Sequence, residues 1–224
     1  MMKMMLKIIQ ILLIGKIDMK SNLYYYNRDY SEKRRYEWYL SYPDFSHLVS
    51  KVVLREDKIL HVGAGTSSKI LLIDLSFDME KDGYSNIVST DISDNCIEFM
   101  NERVKTKGKN LSYLKSNVTN MNFENESFDV VVEKGLLDSL LCKENGIADA
   151  EQMIKEIYRV LGKRGRYLSI SHSSERSVHF KCQTWDIQVI PLSLKNAVEF
   201  DKKENNKLNN KQEKAEHYLY VMTK

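Results

Sequence analysis

Residues 58–65, K-I-L-H-V-G-A-G, form a short apolar run that ends in two glycines. This is the pattern of a strand buried on both faces that delivers its C-terminal end to a ligand. Residues 67–81 follow with Ile70, Ile73 and Phe77 at helical spacing, which predicts a helix capped by Thr66 or Ser67 and stopped at Gly83. Residues 86–92, N-I-V-S-T-D-I, are a second strand. Ser93 then caps a helix whose inward stripe is Ile97, Met100 and Val104.

The same rhythm continues to the end of the chain. Residues 111–117 make a third strand, and residues 127–133, S-F-D-V-V-V-E, a fourth whose three consecutive valines suit cover on both faces. Residues 148–161 are an amphipathic helix with Ile154, Ile157 and Leu161 inward, and residues 162–165 turn into a fifth strand at 166–171. Two closing strands lie at 184–192 and 217–224. Right-handed crossovers between alternating strands and helices give an α/β fold: an open, doubly wound, mostly parallel seven-stranded sheet closed by a C-terminal β-hairpin. Its ligand belongs outside the C-terminal strand ends.

Composition narrows the class. With 224 residues, 42% of them apolar, and only two prolines, the chain has material for one large domain and no obvious linker. Residues 21–224 are assigned to that domain and residues 1–20 to an N-terminal extension, whose basic start and short apolar run resemble a signal sequence but lack a cleavage site and the length to span a membrane. Residues 201–214, with a single apolar residue, are expected to be a disordered loop insert. A formal charge of +3 without a basic stripe argues against nucleic acid as a partner. Three cysteines, Cys96, Cys142 and Cys182, are odd in number and never form a C-x-x-C pair, so a reducing, cytoplasmic compartment is expected. His172 and His179 lack metal-ligand spacing, so no metal is expected.

Four constellations fall at predicted strand ends. Gly63-Ala64-Gly65 lets the backbone approach a cofactor, while Ser68 stands where a dinucleotide fingerprint wants a third glycine, which disfavours NAD. Asp91, 26 residues after Gly65, can accept both hydroxyls of an adenosine ribose, with Ile92 next to it. Asn117 and Val118 offer a polar side chain and a backbone N–H to an adenine edge; an Asn ending a strand in a turn explains the same residue. Glu133, Lys134 and Asp138, in E-K-G-L-L-D, put ionisable groups at the centre of the expected cleft, where packing alone explains them poorly. A fifth feature precedes the first strand: nine of the 22 residues at 24–45 are aromatic, enough either to lid a cleft that holds a cation or to pack on a sheet edge.

Together these residues resemble the class I S-adenosylmethionine-dependent methyltransferases, which are Rossmann-like, and more narrowly the eukaryotic group that modifies lysines of translation elongation factor 1-alpha. The most specific parts are Y-Y-x-x-x-Y with R-Y-E-W-Y (residues 25–39), I-L-H-V-G-A-G-T-S, and S-F-D-V-V-V-E-K-G-L-L-D-S-L-L (residues 127–141). The resemblance implies S-adenosyl-L-methionine as cofactor, contacted by Tyr26, Tyr30, Gly63, Gly65, Asp91, Ile92, Asn117, Val118 and Lys134. It implies a protein substrate, with elongation factor 1-alpha as the example. The chain departs from the group at Tyr26, where Trp is common, at Ala64, often Cys, and at Asn117, often Asp.

Methyl transfer from a sulfonium to an amine is an in-line displacement, so alignment is the enzyme's main task. The obstacle is protonation: freeing the amine of a lysine with a pKa of about 10.4 costs roughly 4.6 kcal/mol at pH 7. Glu133 and Asp138 are the expected catalytic groups, one or the other orienting the incoming ammonium while tyrosine rings line its channel, with no dedicated strong base expected. Lys134 is expected to contribute its backbone or aliphatic stem, because its ammonium repels a sulfonium. The alternatives are a methyltransferase for a small molecule, an NAD-dependent oxidoreductase, and a non-catalytic protein-binding module on the same fold.

Overall fold

The apolar run after Lys58 is strand β1 (Ile59–Val62) in the computed structural model, which describes residues 39–65, 74–107, 111–192, 215 and 217–224. Every residue of β1 is buried. Alternation explains this: Ile59 joins the hydrophobic cluster on one face of the sheet, and Leu60 and Val62 join the cluster on the other. The valines of β4 (Phe128–Lys134) divide in the same way, with Val130 and Val132 on the first face and Val131 on the second.

Seven strands form one sheet in the order β3-β2-β1-β4-β5-β7-β6. Beside β1 and β4 these are β2 (Ile87–Asp91), β3 (Leu111–Lys115), β5 (Leu161–Ser171), β6 (Asp186–Leu192) and β7 (His217–Thr223). The first five in that order run parallel, and β7 pairs antiparallel with both β5 and β6. The expected closing pair is therefore present, with β7 inserted between β5 and the edge. Strand order reverses between β1 and β4, which is where a doubly wound sheet opens its ligand crevice.

Helices α1 (Tyr42–Val52), α2 (Leu75–Lys81) and α3 (Asp94–Lys107) carry residues of the first cluster. Helices α4 (Leu136–Leu141) and α5 (Gly146–Val160) carry residues of the second. In α5, Met153, Ile154, Ile157 and Val160 are fully buried, and burial of each such side chain is worth about 1.5–3 kcal/mol.

The boundaries differ from expectation in four places. The helix after β1 is described from Leu75, not Ser67: Asp74 caps it by accepting from Ser76 N and Phe77 N, and residues 66–73, with the proposed caps Thr66 and Ser67, lie outside the described residues. Helix α5 ends at Val160, and the buried Leu161 opens β5. The expected turn at 162–165 is an irregularity within β5: Leu161 faces Phe128 and Arg166 faces Val130, with Arg164 at φ 65°. Helix α1 was not foreseen. Its Ser41 and Asp44 form a capping box, with Ser41 N donating to Asp44 Oδ2 at 2.8 Å. Residues 1–20 and 201–214 lie outside the described residues.

Candidate active site

At the C-terminal end of β1 the chain turns through Gly63 and Gly65, both in the left-handed region at φ 67° and 65°. A Cβ on Gly63 would stand 2.8 Å from Leu136 Cδ2, so the first residue of α4 packs directly onto the turn. Among the described residues, a Cβ on Gly65 would meet nothing closer than Gly63 O at 4.0 Å. Gly65 N donates to Asp91 Oδ2 at 2.8 Å, which couples the ends of β1 and β2. Asp91 Oδ1 accepts from Ser93 N at 2.9 Å. Below the turn, Cys96 Sγ donates to Gly65 O at 3.0 Å, and burial pushes its thiol up to about 12, so it keeps the proton it donates.

Each Asp91 oxygen thus accepts one backbone N–H and retains another lone pair on a half-exposed side chain. This donor-hungry carboxylate beside the glycine turn fits the vicinal hydroxyls of a ribose. Ile92 is 65% exposed and can cover the face of a flat ring. Beyond β3, Asn117 is exposed and its Oδ1 accepts from Thr119 N at 3.0 Å and Thr119 Oγ1 at 2.9 Å. It closes a turn, as the simpler account of it required, and only its amide nitrogen remains to meet a base edge. Val118 is half-buried against the second cluster.

At the end of β4 both expected carboxylates are engaged by donors from the chain itself. Glu133 is completely buried: Oε2 accepts from Leu136 N at 2.6 Å and Leu137 N at 3.3 Å, and Oε1 accepts from Ser169 Oγ. It caps the N-terminus of α4 by accepting two of its otherwise unpaired N–H groups. Burial pushes its carboxyl up to about 7 against the pull of the hydrogen bonds from Ser169, Leu136 and Leu137.

Asp138 is 4% exposed and saturated with donors. Tyr39 Oη donates to it at 2.8 Å, Ser171 Oγ at 2.9 Å, His172 N at 3.2 Å and Arg176 Nε at 2.6 Å, and His172 Nδ1 lies 2.9 Å away. Burial pushes its carboxyl up, but the hydrogen bond with His172 and the charge of Arg176 outweigh burial and hold it well below the usual carboxylate range. Each carboxylate thus positions other groups of the chain. Lys134 Nζ donates to Leu40 O at 3.2 Å, which directs its charge toward the segment before α1.

Gly135, at φ 80°, separates the two carboxylates, and a Cβ there would stand 3.1 Å from the Tyr39 ring. Tyr39 in turn lies between His172 and His217, with ring centroids 5.9 Å and 5.1 Å away. Of the aromatic concentration at 24–45, Tyr42 and Phe45 are buried in the first cluster and only Tyr39 reaches the site among the described residues. Tyr26 and Tyr30 lie outside them. Sequence reasoning missed Tyr39, Ser169, Ser171, His172 and Arg176 as site residues. The signal available for His172 was its place directly after an apolar strand, S-I-S-H. No group of three or more His, Cys, Asp or Glu residues is placed to hold a metal ion among the described residues.

A methyltransferase-domain family model matches residues 54–220, so the chain belongs to that family, whose cofactor is S-adenosylmethionine. An eEF1A lysine and N-terminal methyltransferase of Bos taurus is 35% identical over 164 residues, covering 70% of this chain and 23% of that protein. An EEF1A lysine methyltransferase 4 of Mus musculus is 29% identical over 162 residues, covering 69% of this chain and 60% of that protein. The chain thus spans about a quarter of the length of the first of these relatives. Among solved structures, a TehB-like methyltransferase of Corynebacterium glutamicum superposes with a TM-score of 0.57 at 16% identity, covering 91% of this chain and 93% of that one, a likeness of fold.

Proposed function

We propose that the chain transfers the methyl group of S-adenosylmethionine to a lysine side chain of a protein, with elongation factor 1-alpha as the substrate. The observation that carries this reading is the 35% identity over 164 residues to a eEF1A lysine and N-terminal methyltransferase. The local geometry supports the cofactor half of it. Asp91 accepts the ribose hydroxyls, the turn through Gly63 and Gly65 lets the backbone approach the nucleoside, Ile92 and Val118 flank the base, and the Asn117 amide can donate to its edge. Gly63 lets α4 close against the turn. Tyr26 and Tyr30 are assigned to the cofactor on the family resemblance.

When bound, S-adenosylmethionine supplies an electrophilic methyl group on a cationic sulfur. The chain's own residues align the amine and limit competing charge. Lys134, drawn to the Leu40 carbonyl, holds its ammonium away from a neighbouring cation. Glu133 fixes the start of α4, and Asp138 fixes Tyr39, His172 and Arg176. A cytoplasmic setting is proposed on the three dispersed cysteines, all of them unpaired. No helix among the described residues is long and apolar enough to cross a membrane.

Incubation with labelled S-adenosylmethionine and purified elongation factor 1-alpha, followed by peptide mass spectrometry, tests the reading. Methylated lysine on the factor is expected. Binding of S-adenosylhomocysteine without methylation of the factor or of any lysate protein would overturn it.

A further inference from the structure

Asp138 and His172 form a pair that nothing in the family resemblance assigns. His172 follows the last residue of β5, beside the end of β4, where Lys134 and Ile170 lie in register. This is the sheet edge that also carries Gly63, Gly65 and Asp91. The imidazole is 40% exposed while its partner carboxylate is 4% exposed, so one side of the ring is anchored in the protein and the other is accessible.

The tautomer follows from the partner. Asp138 is held as a carboxylate and can only accept, so the 2.9 Å contact is an Nδ1–H donated to Oδ2. Tyr39 Oη, which donates to the same oxygen at 2.8 Å, lies 3.3 Å from Nδ1. Nε2 then carries the lone pair, and it has no hydrogen-bond partner among the described residues. A buried carboxylate holding a half-exposed imidazole by Nδ1 is the arrangement in which Nε2 works as a general base.

We propose that His172 Nε2 accepts the proton of the substrate ammonium, an assignment that rests on the amine-methylating reading above. An N–H bond of the ammonium breaks, the proton bonds to Nε2, and the electron pair stays on the amine nitrogen as the nucleophilic lone pair. The imidazolium formed is stabilised by Asp138 and returns its proton to water after the product leaves. The groups that face His172 shape this exchange: Tyr39 from before α1, Asp138 from α4, Arg176 from the 3-10 turn (Arg176–Cys182), and His217 of β7 across the Tyr39 ring. Arg176 Nε, 2.6 Å from Asp138 Oδ1, shares the carboxylate with His172. The ammonium of Lys134 donates to Leu40 O, next to Tyr39.

Two measurements test the assignment together. The first compares wild type with His172→Gln for kcat, KM and S-adenosylhomocysteine affinity across pH. Near pH 7 the variant should lose kcat by about a hundredfold with KM and affinity unchanged, and the deficit should narrow near pH 9.5, where more of the substrate amine is already neutral. A variant with wild-type kcat near pH 7, or a deficit of the same size at every pH, overturns the assignment. The second reads the His172 tautomer in the full chain by nitrogen-15 NMR. A neutral ring protonated on Nδ1 is expected; a ring protonated on Nε2 overturns the assignment whatever the substrate is. A wild-type protein that methylates no amine while showing the Nδ1–H tautomer contradicts the amine-methylating reading, and the proton-acceptor role falls with it.

Discussion

Glu133→Gln should change how the protein's stability responds to pH. Burial raises the Glu133 carboxyl from about 4.5 to about 7. Between those values the folded chain keeps a proton that the unfolded chain releases, so rising pH favours unfolding by about 1.4 kcal/mol per pH unit. The contribution is fully present below about pH 4.5, is lost as pH rises through about 7, and amounts to about 3 kcal/mol in total. Gln keeps an amide oxygen to accept from Leu136 N, which lies 2.6 Å from Oε2, and it does not titrate. Urea unfolding of both proteins between pH 4.5 and 8, followed by circular dichroism, should therefore show the variant gaining about 3 kcal/mol on the wild type across that interval. A constant offset between the two curves would refute the reasoning, because it would mean that Glu133 releases its proton as readily in the fold as in water.

Other perturbations give separable results. Gly63→Ala combines a left-handed φ of 67° with a Cβ 2.8 Å from Leu136, and thermal unfolding should show a loss of at least about 1–2 kcal/mol. Asp138→Asn leaves Arg176 without its charged partner and should cost about 3–5 kcal/mol at neutral pH by urea unfolding. Because the Asp138 carboxyl is held below its ordinary range, the stability it contributes is present above its unfolded value of about 3.8 and is lost as pH falls through the folded value, so the gap between this variant and wild type should shrink in strong acid.

Strands whose two faces are both buried were legible in the sequence almost to the residue. Expected limits of 86–92 and 127–133 became Ile87–Asp91 and Phe128–Lys134, because a continuous apolar run between polar ends leaves little freedom of register. Elements set by long-range bonds were not legible. Asp74 caps α2 while also accepting from Tyr113 Oη at 2.6 Å, a partner 39 residues away. Helix α1 was legible in principle, since S-Y-P-D carries both a capping box and an early proline.

The site divides in the same way. Gly63, Gly65 and Asp91 stand at strand ends, where topology alone brings them together. The cluster around Asp138 gathers Tyr39, the adjacent Ser171 and His172, and Arg176 from three separate places in the chain. Sequence placed Glu133 and Asp138 in the cleft but could not show that backbone and side-chain donors already occupy their oxygens. Those donors make both carboxylates positioning groups within the chain.

Titration calorimetry of wild type and Asp91→Ala with S-adenosylhomocysteine tests most directly whether a nucleoside is held at the open end of the sheet. Charge-assisted hydrogen bonds of about 1.5–3 kcal/mol each predict saturable binding to wild type and a Kd at least about tenfold weaker for the variant, with both proteins folded by circular dichroism. No heat with wild type, or the same Kd for both proteins, would contradict it.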